Sequence, residues 1–147
     1  MQTFVPYGAD FELNAQVLDR QRLGKQRVEA WQILNAIRGL SKGWVNHPAT
    51  VMWRKHPEAL AHYGIAMCDE WIYRGYNDTM RDRFVSLTEC SLYWIDIPAW
   101  LNYEDVIVSH RSNLIRKRPD IYQPIWPETP DDLPYVWPGE WHTPTYF

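Results

Sequence analysis

Between Leu18 and Ala30 the chain reads Leu-Asp-Arg-Gln-Arg-Leu-Gly-Lys-Gln-Arg-Val-Glu-Ala, which sets Glu29 four residues beyond Lys25 and seven beyond Arg22. In a helix turning roughly 100° per residue, Asp19, Arg22, Lys25, Gln26 and Glu29 fall within an arc of about 120°. Leu23, Ala30, Leu34 and Ile37 form the adjacent apolar stripe. A polar stripe bordering the core partly desolvates Glu29 while the neighbouring cations keep it charged. That is the setting of a carboxylate that moves protons or stabilises positive charge. The same spacing also describes an ordinary ion-paired helix face, and spacing alone leaves both readings open.

Other candidates for chemistry are scattered. His47 before Pro48, and the pair His110-Arg111, suit phosphate or base contacts, or serve as loop and cap residues. The run Arg116-Lys117-Arg118 before Pro119 is either a phosphate clamp or a set of cations complementing a helix dipole. Trp44, Tyr122 and Trp126 offer stacking faces for an exposed base, although most of the nine tryptophans must fill the core. There is no glycine-rich phosphate loop, no Ser/His/Asp arrangement and no Cys/His ligand spacing, so neither metal nor cofactor is expected.

The elements that must position these groups are helical. Residues 1–14 read as an irregular or extended start punctuated by Pro6 and Gly8. Asn14 is a candidate cap for one helix from about Ala15 to Ile37, closed by Gly39. Gly24 inside it marks a close approach by a ligand or by another part of the chain. Pro48 opens a helix to about Trp53 or Lys55, and Pro57 to Arg74 reads as the central, largely buried helix with Gly75 as its stop. Pro98 to Leu101 is a short turn or helical piece in an aromatic loop, and 103–118 is helical again. The last 25 residues carry six prolines and three tryptophans, which predicts an extended arm packed on the body. The expected class is all-α, a compact single helical domain over 1–122 with the arm at 123–147.

At 147 residues the chain can bury a core without disulfides, and Cys68 and Cys90 read as reduced, packed thiols. With no leader pattern and no membrane-length apolar run, a cytoplasmic, soluble monomer is expected. The net charge of −3 is unevenly spread. Residues 1–55 carry +4 and 106–122 carry +3, against −6 for 56–105 and −4 for 123–147. Brought together, the two basic segments would form a positive face able to bind a phosphate backbone despite the acidic total.

Leu18-Asp19-Arg20-Gln21, Leu23 and Glu29, the Asn46-His47-Pro48 turn, Glu70-Trp71-Ile72-Tyr73-Arg74-Gly75-Tyr76-Asn77, Ser109-His110-Arg111 and Lys117-Arg118-Pro119-Asp120-Ile121-Tyr122 are distributed over residues 18–122. Together they resemble the pyrimidine-dimer DNA glycosylases of the phage endonuclease V type, small helical enzymes combining glycosylase and abasic-site lyase activity. The resemblance implies that an amine attacks the sugar C1′ of a damaged pyrimidine nucleotide, with Glu29 assisting ring opening and proton removal. It implies a DNA partner, expected to be double-stranded with an exposed or flipped nucleotide, and the candidate contacts to it are Arg22, Gln26, Arg27, His47, His110, Arg111, Arg116, Lys117, Arg118 and Tyr122.

The family's nucleophile is an N-terminal amine exposed by removal of Met before a small residue, whereas here the second residue is Gln2. The amine would then belong to Met1, and an α-amine, with an ordinary pKa of about 7.7–8.0, is a natural nucleophile. Lys25, one turn before Glu29, is the internal alternative, and a third is a glycosylase without an amine in which Glu29 orients water. Two further readings stay open: an enzyme acting on a different modified base, and a non-catalytic helical DNA-binding module in which Glu29 is only an ion-pair partner.

Overall fold

The computed structural model describes residues 1–89 and 95–139. Among the described residues, seven α-helices span Phe11–Val17 (α1), Arg20–Ile37 (α2), Pro48–Trp53 (α3), Pro57–Tyr73 (α4), Arg81–Val85 (α5), Glu104–Lys117 (α6) and Pro119–Tyr122 (α7), with a 3-10 turn at Ala99–Asn102. No strand occurs among the described residues, and the fold is all-α. The central element is α4, which packs against α1, α2 and α5, while α6 packs on α7 and the 3-10 turn. Its buried face carries Ala59, Leu60, Ala61, Tyr63, Gly64, Met67 and Cys68. The apolar stripe read on α2 is the part of that helix in the core, with Leu23, Ala30 and Leu34 fully buried.

The single helix expected over 15–37 is two helices. Leu18 and Asp19 adopt extended backbone, and Asp10 rather than Asn14 caps α1, accepting the Leu13 N–H at 3.1 Å. Asn14 lies buried inside α1, where it accepts the Tyr7 N–H at 2.7 Å and donates to the Gly8 carbonyl at 2.9 Å. Distant groups hold the break open. The Arg74 guanidinium donates to the carbonyls of Ala15, Gln16 and Leu18, at 3.3, 3.2 and 2.8 Å, satisfying the end of α1. The Asp19 N–H donates to the Tyr122 hydroxyl at 2.8 Å, and that hydroxyl donates back to the Asp19 carboxylate. The polar stripe of α2 survives the break, except that Asp19 precedes the helix and faces Tyr122.

The close approach at Gly24 is made by Trp71: a Cβ there would lie 3.0 Å from the indole ring. Gly39 closes α2 with a φ of 75°, a conformation that costs glycine no steric penalty. Beyond Gly75 lies α5, for which the sequence carried no expectation. The Asp78 carboxylate accepts the N–H groups of Met80 and Arg81 at 3.1 and 2.7 Å and is ion-paired to Arg27. Burial works to raise the Asp78 pKa, but the Arg81 N–H and the Arg27 guanidinium outweigh it and hold it below the ordinary carboxylate value. Cys68 is buried beside this pair, and burial and the Asp78 charge push its thiol up to about 12. Cys90 lies outside the described residues.

After α7 the chain runs without regular structure to Gly139. It is tied to α6 by the Leu133 N–H to Ser112 Oγ at 3.0 Å, by Asn113 Nδ2 to the Leu133 carbonyl at 3.1 Å, and by Arg116 to the carbonyls of Asp131 and Leu133 at 2.8 and 2.7 Å. The remainder of the expected arm, 140–147, lies outside the described residues.

Candidate active site

The first five residues form an extended segment in which each backbone N–H from Gln2 to Val5 donates to a side chain. Gln2 N–H donates to Glu29 Oε2 at 3.3 Å, Thr3 N–H to Gln2 Oε1 at 2.9 Å, Phe4 N–H to Gln26 Oε1 at 2.9 Å and Val5 N–H to His110 Nδ1 at 2.9 Å. Two hydroxyl and indole contacts complete the seat. Trp53 Nε1 donates to Thr3 Oγ1 at 2.8 Å, and the Tyr63 hydroxyl lies 2.8 Å from the Phe4 carbonyl and 2.9 Å from Gln26 Oε1, sharing its proton between them. Gln2, Thr3, Phe4 and Val5 are all buried as a result.

This segment brings Met1 to Glu29. The two residues line one cleft of about 190 Å³ together with Gln2, Phe4, Gln21, Arg22, Lys25, Gln26, Lys117 and Tyr135. Glu29 is 8 % exposed, and its Oε2 accepts both the Gln2 N–H and, at 3.1 Å, Gln26 Nε2. Its Oε1 faces Lys25 Nζ at 3.8 Å. Lys25 itself is an exposed side chain at the rim. Arg22 is held by Asp19 Oδ2 at 3.4 Å and Gln21 Oε1 at 3.3 Å. Arg22 and Lys25 come from α2 and Lys117 from the end of α6, so the two basic segments of the sequence do meet at this cleft. Three cationic side chains and a terminal amine around one carboxylate favour an anionic substrate.

Of the thirteen site residues expected from sequence, the cleft therefore gathers Met1, Arg22, Lys25, Gln26, Glu29 and Lys117. The others lie elsewhere. Arg27 turns away from the cleft, pairs with Asp78 and stacks 4.7 Å from the Trp71 ring centroid. Its burial against Asp78 commits it to packing α2 on the α4–α5 region and leaves it off the expected DNA face. His110 is completely buried under the N-terminal segment, where its Nδ1 accepts a backbone proton, so no imidazole surface is left for a phosphate. Arg111 donates to the Pro6 carbonyl at 2.8 Å and lies over Tyr7 and Trp126. Arg116 holds the chain after α7, Arg118 pairs with Asp120 at 2.8 Å, and Tyr122 is buried against Asp19.

His47 caps α3 through its Nδ1, which accepts the Ala49 N–H at 3.0 Å. Burial and then the N-terminal ammonium push its pKa below the ordinary 6.5, while the Glu29 carboxylate pulls the other way. It therefore lies within electrostatic reach of both groups, although it does not line the cleft. Gln2, Phe4, Gln21 and Tyr135 also line the cleft; Gln21 stands in one of the stretches that carry the family resemblance, whereas nothing in the sequence marked Phe4 or Tyr135 as site residues.

The buried His110 carries a pH consequence. Burial drives its pKa down to about 3 from 6.5, so the unfolded chain binds a proton over this interval that the folded chain does not. Its contribution to stability is full above about pH 6.5 and is lost as the pH falls toward 3, at roughly 1.4 kcal/mol per unit. Denaturant midpoints measured between pH 7.5 and 4 are expected to fall more steeply for the native chain than for His110→Gln, whose amide can still accept the Val5 N–H but does not titrate.

The fold and the cleft define a small all-α protein in which Met1 and the buried carboxylate of Glu29 share a cationic recess. Within that class the chain belongs to the pyrimidine dimer DNA glycosylase family, whose model matches residues 1–84. The matched span holds Met1, Arg22, Lys25, Gln26 and Glu29, and ends before Lys117 and Tyr135. The protein is accordingly an enzyme of DNA repair, a DNA glycosylase whose substrate is DNA bearing pyrimidine dimers. Comparisons with curated proteins and with solved structures give no significant match. No helix among the described residues is long and apolar enough to cross a membrane.

Proposed function

We propose that the enzyme attacks the damaged nucleotide through the α-amine of Met1, with Glu29 as the catalytic carboxylate, and that it then cleaves the abasic strand. The observation that carries this reading is the seating of Met1 in the same cleft as Glu29, fixed by the Gln2 N–H on Glu29 Oε2. In its free-base form the amine adds to the sugar C1′, and the N-glycosidic bonding pair leaves with the base, which takes up a proton. The charged carboxylate stabilises the cationic sugar as this bond breaks. Loss of the amine proton and opening of the ring give an imine. Removal of a C2′ proton by Glu29 expels the 3′ phosphate by β-elimination, and water hydrolyses the imine to free the amine. Arg22, Lys25 and Lys117 are suited to the flanking phosphates, and Tyr135 to the sugar or base face. The expected substrate is a duplex with the nucleotide turned out of the stack, because C1′ is otherwise shielded.

Lys25 is the second candidate for the amine, favoured by its 3.8 Å approach to Glu29. Its exposed, flexible side chain makes it the weaker one. Borohydride trapping on a duplex containing an abasic site decides between them, since reduction of an imine leaves a covalent adduct. We expect an adduct that persists in Lys25→Ala, maps to the Met1 peptide and disappears when the α-amine is acetylated. An adduct on the Lys25 peptide would transfer the role to Lys25. Tight binding with no adduct would overturn amine chemistry and leave a glycosylase in which Glu29 orients water.

A further inference from the structure

The aromatic wall of the cleft does not end at Tyr135. The Tyr135 ring lies 5.3 Å from Trp137, Trp137 lies 5.7 Å from His47, and His47 lies 5.5 Å from Trp44. Four rings thus run from the Glu29 cleft to the surface, the last two meeting edge to face at 73°. The outermost, Trp44, is 51 % exposed and adopts a φ of 65°.

Both properties of Trp44 are unusual. A bulky residue in the left-handed region is a true backbone outlier, and such strain persists only where surrounding structure imposes it. Here the Trp44 carbonyl accepts the His47 N–H at 3.1 Å, fixing the turn that presents the indole, and His47 in turn caps α3. Folding alone would be served better by glycine or asparagine at this position, and burial would be served better by turning the ring inward. Gly43 before it and Asn46 two residues after it are exposed while Val45 is half-buried, so the ring stands at an open edge.

We infer that Trp44 is a stacking platform for an unstacked nucleobase of the substrate DNA, placed at the outer end of an aromatic strip that leads into the Glu29 cleft. The occupant follows from continuity with the cleft. Drawing a nucleotide into that recess separates the bases around it, and each freed face seeks a π-surface. Trp44 offers one without sequence preference, since every base has such a face. This inference rests on the Glu29 cleft being the reactive site.

Binding rather than turnover tests it, on a duplex bearing a thymine dimer and on the same duplex undamaged, by fluorescence anisotropy at several salt concentrations. For Trp44→Ala we expect affinity for the damaged duplex to fall about five- to a hundredfold, with Trp44→Phe recovering most of it. The slope of log K against log salt should stay that of the native protein, because no phosphate contact is removed. Trp44→Gly should bind as poorly as Trp44→Ala while melting at or above the native temperature, the mark of strain kept for binding. Undiminished affinity in Trp44→Ala and Trp44→Gly would overturn the inference, as would a loss equal on damaged and undamaged duplex with an altered salt slope. If Glu29→Gln remained fully active while the Trp44 variants lost binding, the assignment of the reactive cleft would fail and the stacking surface would stand.

Discussion

Glu29→Gln is expected to lower turnover on dimer-containing duplex by about 10²- to 10⁴-fold while leaving the dissociation constant within a few-fold of native. The amide has the shape of the carboxylate, and its oxygen can still accept the Gln2 N–H and the Gln26 amide that now meet at Oε2. What it cannot do is carry the negative charge opposite a cationic sugar or take the C2′ proton. Single-turnover kinetics, equilibrium binding and a thermal melt on the same preparation separate these effects. A variant that keeps turnover within tenfold would reduce Glu29 to an ion-pair partner of Lys25 and leave the cleft without its acid–base group.

The second large effect is expected at Gln26, which the sequence reading placed among the DNA contacts. It is 1 % exposed and both ends of its amide are engaged: Oε1 accepts the Phe4 N–H and the Tyr63 hydroxyl, and Nε2 donates to Glu29. It acts as a positioning residue that sets the distance between the amine-bearing segment and the carboxylate. Gln26→Leu strands the Phe4 N–H and removes a donor from Glu29. At roughly 1–3 kcal/mol for each stranded group, it should cost about 2–6 kcal/mol in denaturant-derived stability. Gln26→Glu returns an acceptor to Phe4 but sets two carboxylates together, which favours protonating one of them. We expect it to recover part of the stability and to shift the acid limb of the activity profile to higher pH. A Gln26→Glu profile unchanged in pH would show that the link to Glu29 is structural only.

The parts of this arrangement that were legible in the sequence are the ones encoded by local period. The phase of Arg22, Lys25, Gln26 and Glu29 along α2 follows from the helical repeat, and so do the buried face of α4 and the proline starts of α3 and α4. Helical phase also bears on Arg27, which falls about 100° beyond Gln26 and so off the polar stripe, toward Asp78. The break between α1 and α2 was not legible, because nothing near Leu18 demands it. It depends on Tyr122 and Arg74, whose hydrogen bonds reach back 103 and 56 residues. The burial of His110 was hidden for the same reason: a histidine before an arginine in a basic segment looks like a surface pair until the N-terminal segment lies across it. Long-range pairing of this kind overrides local preference without leaving a local mark.

The way the first residues are held also fixes when they can be held. Their side-chain partners lie 22, 27, 59 and 105 residues further along the chain, at Gln26, Glu29, Tyr63 and His110. The seat of this segment is therefore unfinished until α6 has formed and docked, because the Val5 N–H finds its acceptor only at His110. Until then the cleft lacks Lys117 and Tyr135 from its wall. Under the proposed amine chemistry, a chain truncated before α6 would carry Met1 and Glu29 without the complete recess, so competence would arrive with the closing of the longest-range contacts.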